Sequence, residues 1–207
     1  MATGLRERRK QEARQTISGT AMALFADQGF DEVTISQVAN AAGVSKMTVT
    51  NYFLRKEDLV FDRAEATIAS LADAAAGRAP GESLITAIRR DYAERMAAGD
   101  VTLGPPTPAF ARLVHGSHVL TSRAREIEDL REQALGDAIA AETGTDDPRQ
   151  RIVAAQLASV HRVLFAEAAR RSLAGQSADQ IRQALAGAAR QAFDLLQPSL
   201  GSYGIRA

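Results

Sequence analysis

Apolar residues recur three and four positions apart along nearly the whole 207-residue chain, and no stretch of useful length alternates apolar with polar. Such spacing lays one buried stripe along an α-helix and leaves nothing to form a half-buried strand. The core must therefore be built from helices, and the expected fold class is all-α. The first stripe, over 6–28, is Ala13, Ile17, Ala21, Leu24 and Phe25, and Gly29 stops it. Thr34-x-x-Gln37 is a capping box that opens a second helix ending at Ala42-Gly43, and Ser45 caps a third over 45–53. A fourth helix is expected from Lys56 to about Ala76, then a break over 77–81 with Pro80, then a helix over 82–98. Beyond a loop with Gly104, Pro105, Pro106 and Pro108, helices are expected over 110–118 and 122–142. Asp147-Pro148 opens another, to about Leu173, and Ser177-x-x-Gln180 opens a last one that should end before Pro198.

Composition removes several functions. Cysteine is absent, which excludes a disulfide scaffold, a thiolate zinc site and a cysteine nucleophile. No glycine-rich phosphate loop, G-x-S-x-G elbow or H-E-x-x-H is present, so no enzyme constellation is legible. No cofactor or metal is expected. The N-terminal stretch has charges without an apolar core behind them, and no apolar run reaches the length of a bilayer span, so the expected location is the cytoplasm. Net charge is zero, but residues 1–56 hold eight basic and five acidic groups, which leaves an acidic remainder. A basic head on an acidic body points to a nucleic-acid partner for the head.

Residues 35–54 fit a helix-turn-helix. Ala39 is small where two helices must meet, Gly43 tolerates φ > 0 in the turn, and Val49 supplies the inner face of the second helix. Val38, Val44 and Phe53 fill the remaining inner positions. Ser45, Lys46, Thr48, Thr50, Asn51 and Tyr52 are left facing outward, short or polar, suited to phosphates and base edges. A helical hairpin with a merely solvated polar face is the alternative.

The segment ALFADQGFDEVTISQVANAAGVSKMTVTNYFLRKEDLV, residues 23–60, resembles the DNA-binding segment of the TetR family of transcriptional regulators. The resemblance rests on Phe25…Gly29-Phe30, the Thr34 cap, Ala39…Gly43-Val44-Ser45, Thr48-x-x-x-Tyr52-Phe53 and Lys56-Glu57-Asp58-Leu59. It implies a DNA-binding domain over 1–56, with its motif at about 34–53, and a helical effector-binding and dimerisation domain over 57–207. It also implies a homodimer on a palindromic operator, a repressor released by a small molecule. Two departures stand out: Thr50 replaces a usual Tyr, and Leu54-Arg55 replaces Pro followed by Ser or Asn. Thr48, Thr50 and Asn51 are expected to read bases. Thr34, Lys46 and Tyr52 are expected to hold the duplex, and Arg55 with Lys56 to form a paired phosphate clamp.

The remaining candidates concern the effector and the partner subunit. Tyr92, Met96, Phe110, Leu113, Val114 and Phe165 are apolar candidates for pocket walls, with His118 and His161 as polar handles. His115 and His118 should share one helix face. No Arg or Lys cluster marks these helices, so the expected ligand is apolar or amphipathic. The 6–10 basic run is read as an arm along DNA rather than a membrane anchor. Ile152, Ala155, Ser159 and Val163 form a stripe on the helix over 148–173, and Ile181, Ala184, Leu185, Ala188, Ala192 and Leu195 one on the helix over 177–196. Both are expected to meet their copies across a two-fold axis. The competing class is a helical ligand carrier or enzyme that keeps a helix-turn-helix-like hairpin. Binding to the chain's own upstream DNA separates the two.

Overall fold

A computed structural model describes residues 2–100, 102–103, 106–145 and 147–206, with side chains from Arg8 onward. Arg6 of the basic run, as a side chain, and Gly104 and Pro105 of the loop lie outside the described residues. Among the described residues there are nine α-helices and no strand. They are α1 (Ala2–Gln28), α2 (Ile35–Ala41), α3 (Lys46–Tyr52), α4 (Ala64–Ala76), α5 (Leu84–Ala97), α6 (Pro108–Gly116), α7 (His118–Thr143), α8 (Pro148–Leu173) and α9 (Ala178–Leu200).

The chain divides into two compact units. The first is Met1–Ala64 with Arg112–Ala124; the second is Glu65–Ala111 with Arg125–Ala207. In the first, Ile17, Ala21 and Phe25 of α1 are buried with Val38 and Ala39 of α2, Val49 of α3, and Phe53. Phe25 and Phe30 close the α1–α2 corner with ring centroids 5.1 Å apart. In the second, α9 packs on α8 and on α5. Its core joins Leu84, Ile85 and Ile88 of α5, Leu135 and Ile139 of α7, Leu157 and Leu164 of α8, and Ile181, Leu185 and Phe193 of α9. The tail beyond α9 is pinned to the α4–α5 turn. Gly81 N–H donates to the Arg206 carbonyl at 2.9 Å, and Arg206 Nη1 donates to the Ala76 and Arg78 carbonyls.

Four expectations about helices need correction. The helix expected from Lys56 to Ala76 is a single 3-10 turn over Lys56–Leu59, then α4. Arg14 of α1 donates to the Asp62 carbonyl at 3.0 Å and Ser18 donates to the Asp62 carboxylate at 3.2 Å, holding the link as a turn. The last helix does not stop before Pro198 but runs through it to Leu200. Pro198 lies in the final turn, so it removes only one ladder bond close to the helix end. His115 and His118 do not share a helix face: α6 ends at Gly116 and α7 begins at His118, and both side chains are exposed. Finally, α8 is long and apolar enough by composition to cross a membrane, which the sequence reading missed. Half of its most apolar window is buried inside the protein, as in a core helix.

Candidate functional site

The α2–turn–α3 hairpin is assembled by local bonds that the sequence encodes. Thr34 accepts from the Gln37 N–H at 3.2 Å, and the Gln37 side chain accepts from the Thr34 N–H at 2.8 Å. This closed capping box satisfies two N–H groups that the start of α2 would otherwise leave unpaired. Gly43 sits at φ +68°, and the Val44 N–H closes the turn onto the Ala39 carbonyl at 3.0 Å. Any Cβ at Gly43 would be strained in this left-handed region. Ser45 caps α3, accepting from the Thr48 N–H at 3.0 Å.

This geometry settles which side chains α3 presents. Val49 is wholly buried, and Thr48 and Tyr52 are half-buried. Lys46, Thr50 and Asn51 are exposed, as is Ser45 ahead of them. The Thr50 hydroxyl donates back to the Met47 carbonyl at 3.1 Å. Two apolar side chains here are exposed: Met47, passed over in the sequence, at 72%, and Leu54, noted there only as a departure from the family pattern, at 92%. An apolar side chain at the start of a helix-turn-helix second helix, with no core to join, was the signal to follow.

Arg14 and Lys56 take places that spacing did not foretell. Arg14, counted only as part of the basic head, lies 4.6 Å over the Phe53 ring and donates to the Tyr52 carbonyl at 3.0 Å. It fastens α1 to the end of α3. Lys56, expected to form a paired phosphate clamp with Arg55, lies 4.3 Å over the Phe30 ring and donates to the Asp31 carbonyl at 3.3 Å. Its partial burial lowers its pKa, opposed by Asp31, Glu57 and Glu32. The missing N-cap side chain at Arg55 is made good from the other side, since Asp58 accepts from the Arg55 N–H at 3.1 Å. Asp58 is held in turn by Arg123 of α7 at 2.8 Å. Arg8, Arg9 and Lys10 are exposed on α1.

Comparison with known proteins identifies the hairpin. Residues 17–62 match the family described as bacterial regulatory proteins, tetR family. The chain is also 30% identical over 206 residues to the HTH-type transcriptional regulator TcmR of Streptomyces glaucescens, covering 95% of this chain and 88% of that protein. The chain belongs to the TetR family. TetR-family proteins are DNA-binding transcriptional regulators rather than enzymes, and they bind small-molecule effectors. The fold agrees. A TetR-family regulator from Syntrophomonas wolfei superposes with a TM-score of 0.57 at 16% identity, over 89% of this chain and 96% of that one. One from Streptomyces coelicolor A3 does so with 0.51 at 19% identity, over the same shares.

The core of the second unit holds an unusual group of polar side chains. Tyr92 of α5 and His161 of α8 meet edge to face with ring centroids 5.2 Å apart, and Phe193 of α9 lies 6.2 Å from Tyr92. Arg131 of α7 is buried and pairs through Nη2 with Glu128. Among the described residues, the Tyr92 hydroxyl, both His161 ring nitrogens and the Arg131 Nε have no hydrogen-bond partner. Each such group costs about 1–3 kcal/mol when buried without one. Native proteins leave few buried polar atoms unpaired. Burial pushes the His161 pKa well below the ordinary histidine value, and the charges of Arg131 and Arg95 push the same way, so the ring is neutral. Burial pushes the Tyr92 hydroxyl up to about 12.

The other effector candidates scatter. Met96 is half-buried and packs on the second unit's core, and Phe110 and Phe165 are half-buried there. Leu113, Val114 and His118 fall in the first unit, with His118 exposed. Arg131 was missed because its burial is set by the helices packed around α7, and its i,i+3 pairing with Glu128 looks like an ordinary surface pair in the sequence. Among the described residues no group of three His, Asp or Glu side chains is placed to hold a metal.

The expected subunit stripes are also redistributed. Ile181 and Leu185 are fully buried in their own subunit's core, so they cannot face a partner. Ile152, Val163 and Leu195 are 59%, 60% and 80% exposed, while Ala155, Ser159, Ala184, Ala188 and Ala192 are half-buried.

Proposed function

We propose that this chain is a homodimeric, cytoplasmic repressor that seats α3 of each subunit in a major groove of a palindromic operator and leaves it when a small amphipathic molecule binds the second unit. The exposed face of α3 carries this reading. Lys46, Met47, Thr50 and Asn51 project from a helix whose opposite side is anchored by Val49. Thr50 and Asn51 are suited to base edges, Met47 and the Thr50 methyl to thymine methyls, and Lys46 with Arg55 to phosphates. The proposed domains are 1–56 for DNA and 57–207 for effector and partner, and the Tyr92–His161 group falls in the second. Exposed Ile152, Val163 and Leu195 on α8 and α9 support a two-fold interface between copies of those helices.

Binding to DNA from upstream of the chain's own gene, followed by fluorescence anisotropy across a salt series, tests the reading. Lys46→Ala should weaken every sequence alike and reduce the salt slope by about one unit. Asn51→Ala should cost about 1–3 kcal/mol and relax one operator position. Arg14→Ala should weaken binding without changing the slope, because its guanidinium is engaged inside the protein. A complex that is insensitive to salt and sequence would refute DNA readout by α3.

A further inference from the structure

The second unit's core holds more hydrogen-bonding capacity than the protein uses. The surplus comes from three helices: Tyr92 on α5, Arg131 on α7 and His161 on α8, each more than nine-tenths buried. Its balance is uneven. The Arg131 Nε–H only donates, the Tyr92 hydroxyl donates and can also accept, and a neutral His161 adds one N–H and one acceptor nitrogen. Three donors thus face the site, and a complementary ligand group must be rich in acceptors. A water molecule or a simple alcohol matches this poorly, since each brings as many donors as acceptors or nearly so.

The surroundings narrow the class further. Leu157, Leu164 and Ile88 belong to the same core, and Phe193 gives an aromatic wall beside Tyr92. Met96, unbranched and half-buried, offers a wall that can adapt. The charge of Arg131 is only partly answered. Burial raises the pKa of its partner Glu128 in spite of the guanidinium beside it, and so weakens that carboxylate as a counter-ion. Arg95, whose charge also reaches the His161 ring, is matched by two carboxylates, Asp91 at 3.3 Å and Asp100 at 2.8 Å, where Arg131 has Glu128 alone.

We propose that Tyr92, Arg131 and His161 form a receptor for the oxyanion of an apolar-bodied organic acid, a carboxylate or an ionised phenol, with Arg131 Nε and the Tyr92 hydroxyl donating to it and His161 bonding a neighbouring hydroxyl or oxygen. This rests on the reading that the second unit takes an effector, and it names the effector's head group. It also revises the expectation from sequence, where no basic cluster marked these helices: the charges of Arg131 and Arg95 act on His161 only through the tertiary fold.

The test uses the full chain and three probe acids, benzoate, 3-hydroxy-2-naphthoate and decanoate, each against its own carboxamide. Calorimetry gives affinities, and 15N-histidine spectra report His161, which is one of only three histidines. At least one acid should bind ten-fold or more tightly than its amide and shift the His161 ring nitrogens while His115 and His118 stay put. Tyr92→Phe, which removes a single oxygen, should lower the acid's affinity several-fold and the amide's less. Arg131→Gln should bring the acid-to-amide ratio close to one, and Arg131→Lys should keep part of it. Equal binding of acids and amides, or no His161 shift with any acid, would overturn the proposal, even if another compound class released DNA. An acid that binds with the expected pattern but leaves operator binding unchanged would uphold the receptor and refute effector-driven release.

Discussion

Around α2 and α3 the polar side chains that shape the backbone are bonded: Thr34 with Gln37, Ser45 with Thr48, Arg14 with the Tyr52 and Asp62 carbonyls. Between α5, α7 and α8 the opposite holds, since Tyr92, Arg131 and His161 keep buried atoms without partners. The contrast separates two demands on one chain. A reading head must hold the spacing of its side chains against a rigid duplex, and capping bonds do so locally. A receptor must leave bonding capacity for something else, and it gives up stability to do so.

The largest effect expected from this contrast comes from α9. Leu185→Glu would bury a carboxylate in the apolar core of the second unit, at a cost on the order of 4 kcal/mol or more, and should unfold it. Leu195→Glu, at an 80% exposed position nearly three turns on, should leave a cooperative thermal melt but produce monomers in sedimentation. A folded Leu185→Glu dimer would mean that α9 faces the other way.

A smaller effect should appear with pH. His161 is neutral in the folded state, with its pKa below the unfolded value of about 6.5. Below pH 6.5 the unfolded chain takes up a proton that the folded one refuses. Stability from this group is therefore complete above pH 6.5 and falls as pH drops, by up to about 1.4 kcal/mol per unit until the folded pKa is reached. Denaturant titrations between pH 7.5 and 5 should show this decline, and His161→Leu should flatten it. An unchanged slope in that variant would show His161 to be solvated or charged.

The smallest effects differ in sign. Ser45→Ala removes a cap and should cost about 1 kcal/mol. Tyr92→Phe removes an orphaned hydroxyl and should raise stability by about 1 kcal/mol. Urea midpoints of the two variants give the comparison directly. Loss of stability in Tyr92→Phe would mean that its hydroxyl is bonded, and the two regions would no longer differ.

The helix-turn-helix was legible because its determinants lie within a few residues of one another. A capping box joins positions three apart, a left-handed turn needs one glycine, and an inner face repeats with the helical period. The sequence by itself therefore determined the all-helical class, the caps at Thr34, Ser45, Asp147 and Ser177, the turn at Gly43 and the buried place of Val49. Periodicity could not say which of two apolar stripes on α9 faces its own core, because a stripe looks the same whether it meets a neighbouring helix or a second subunit. Packing on α5 and α8 decided that Leu185 lies inside and Leu195 outside. Tertiary structure likewise turned Lys56 onto the Phe30 ring, drew Arg14 under α3, brought Tyr92 against His161 from 69 positions away, and buried Arg131. Charge, burial and unmet hydrogen bonds depend on neighbours in space, and no window of sequence contains those neighbours.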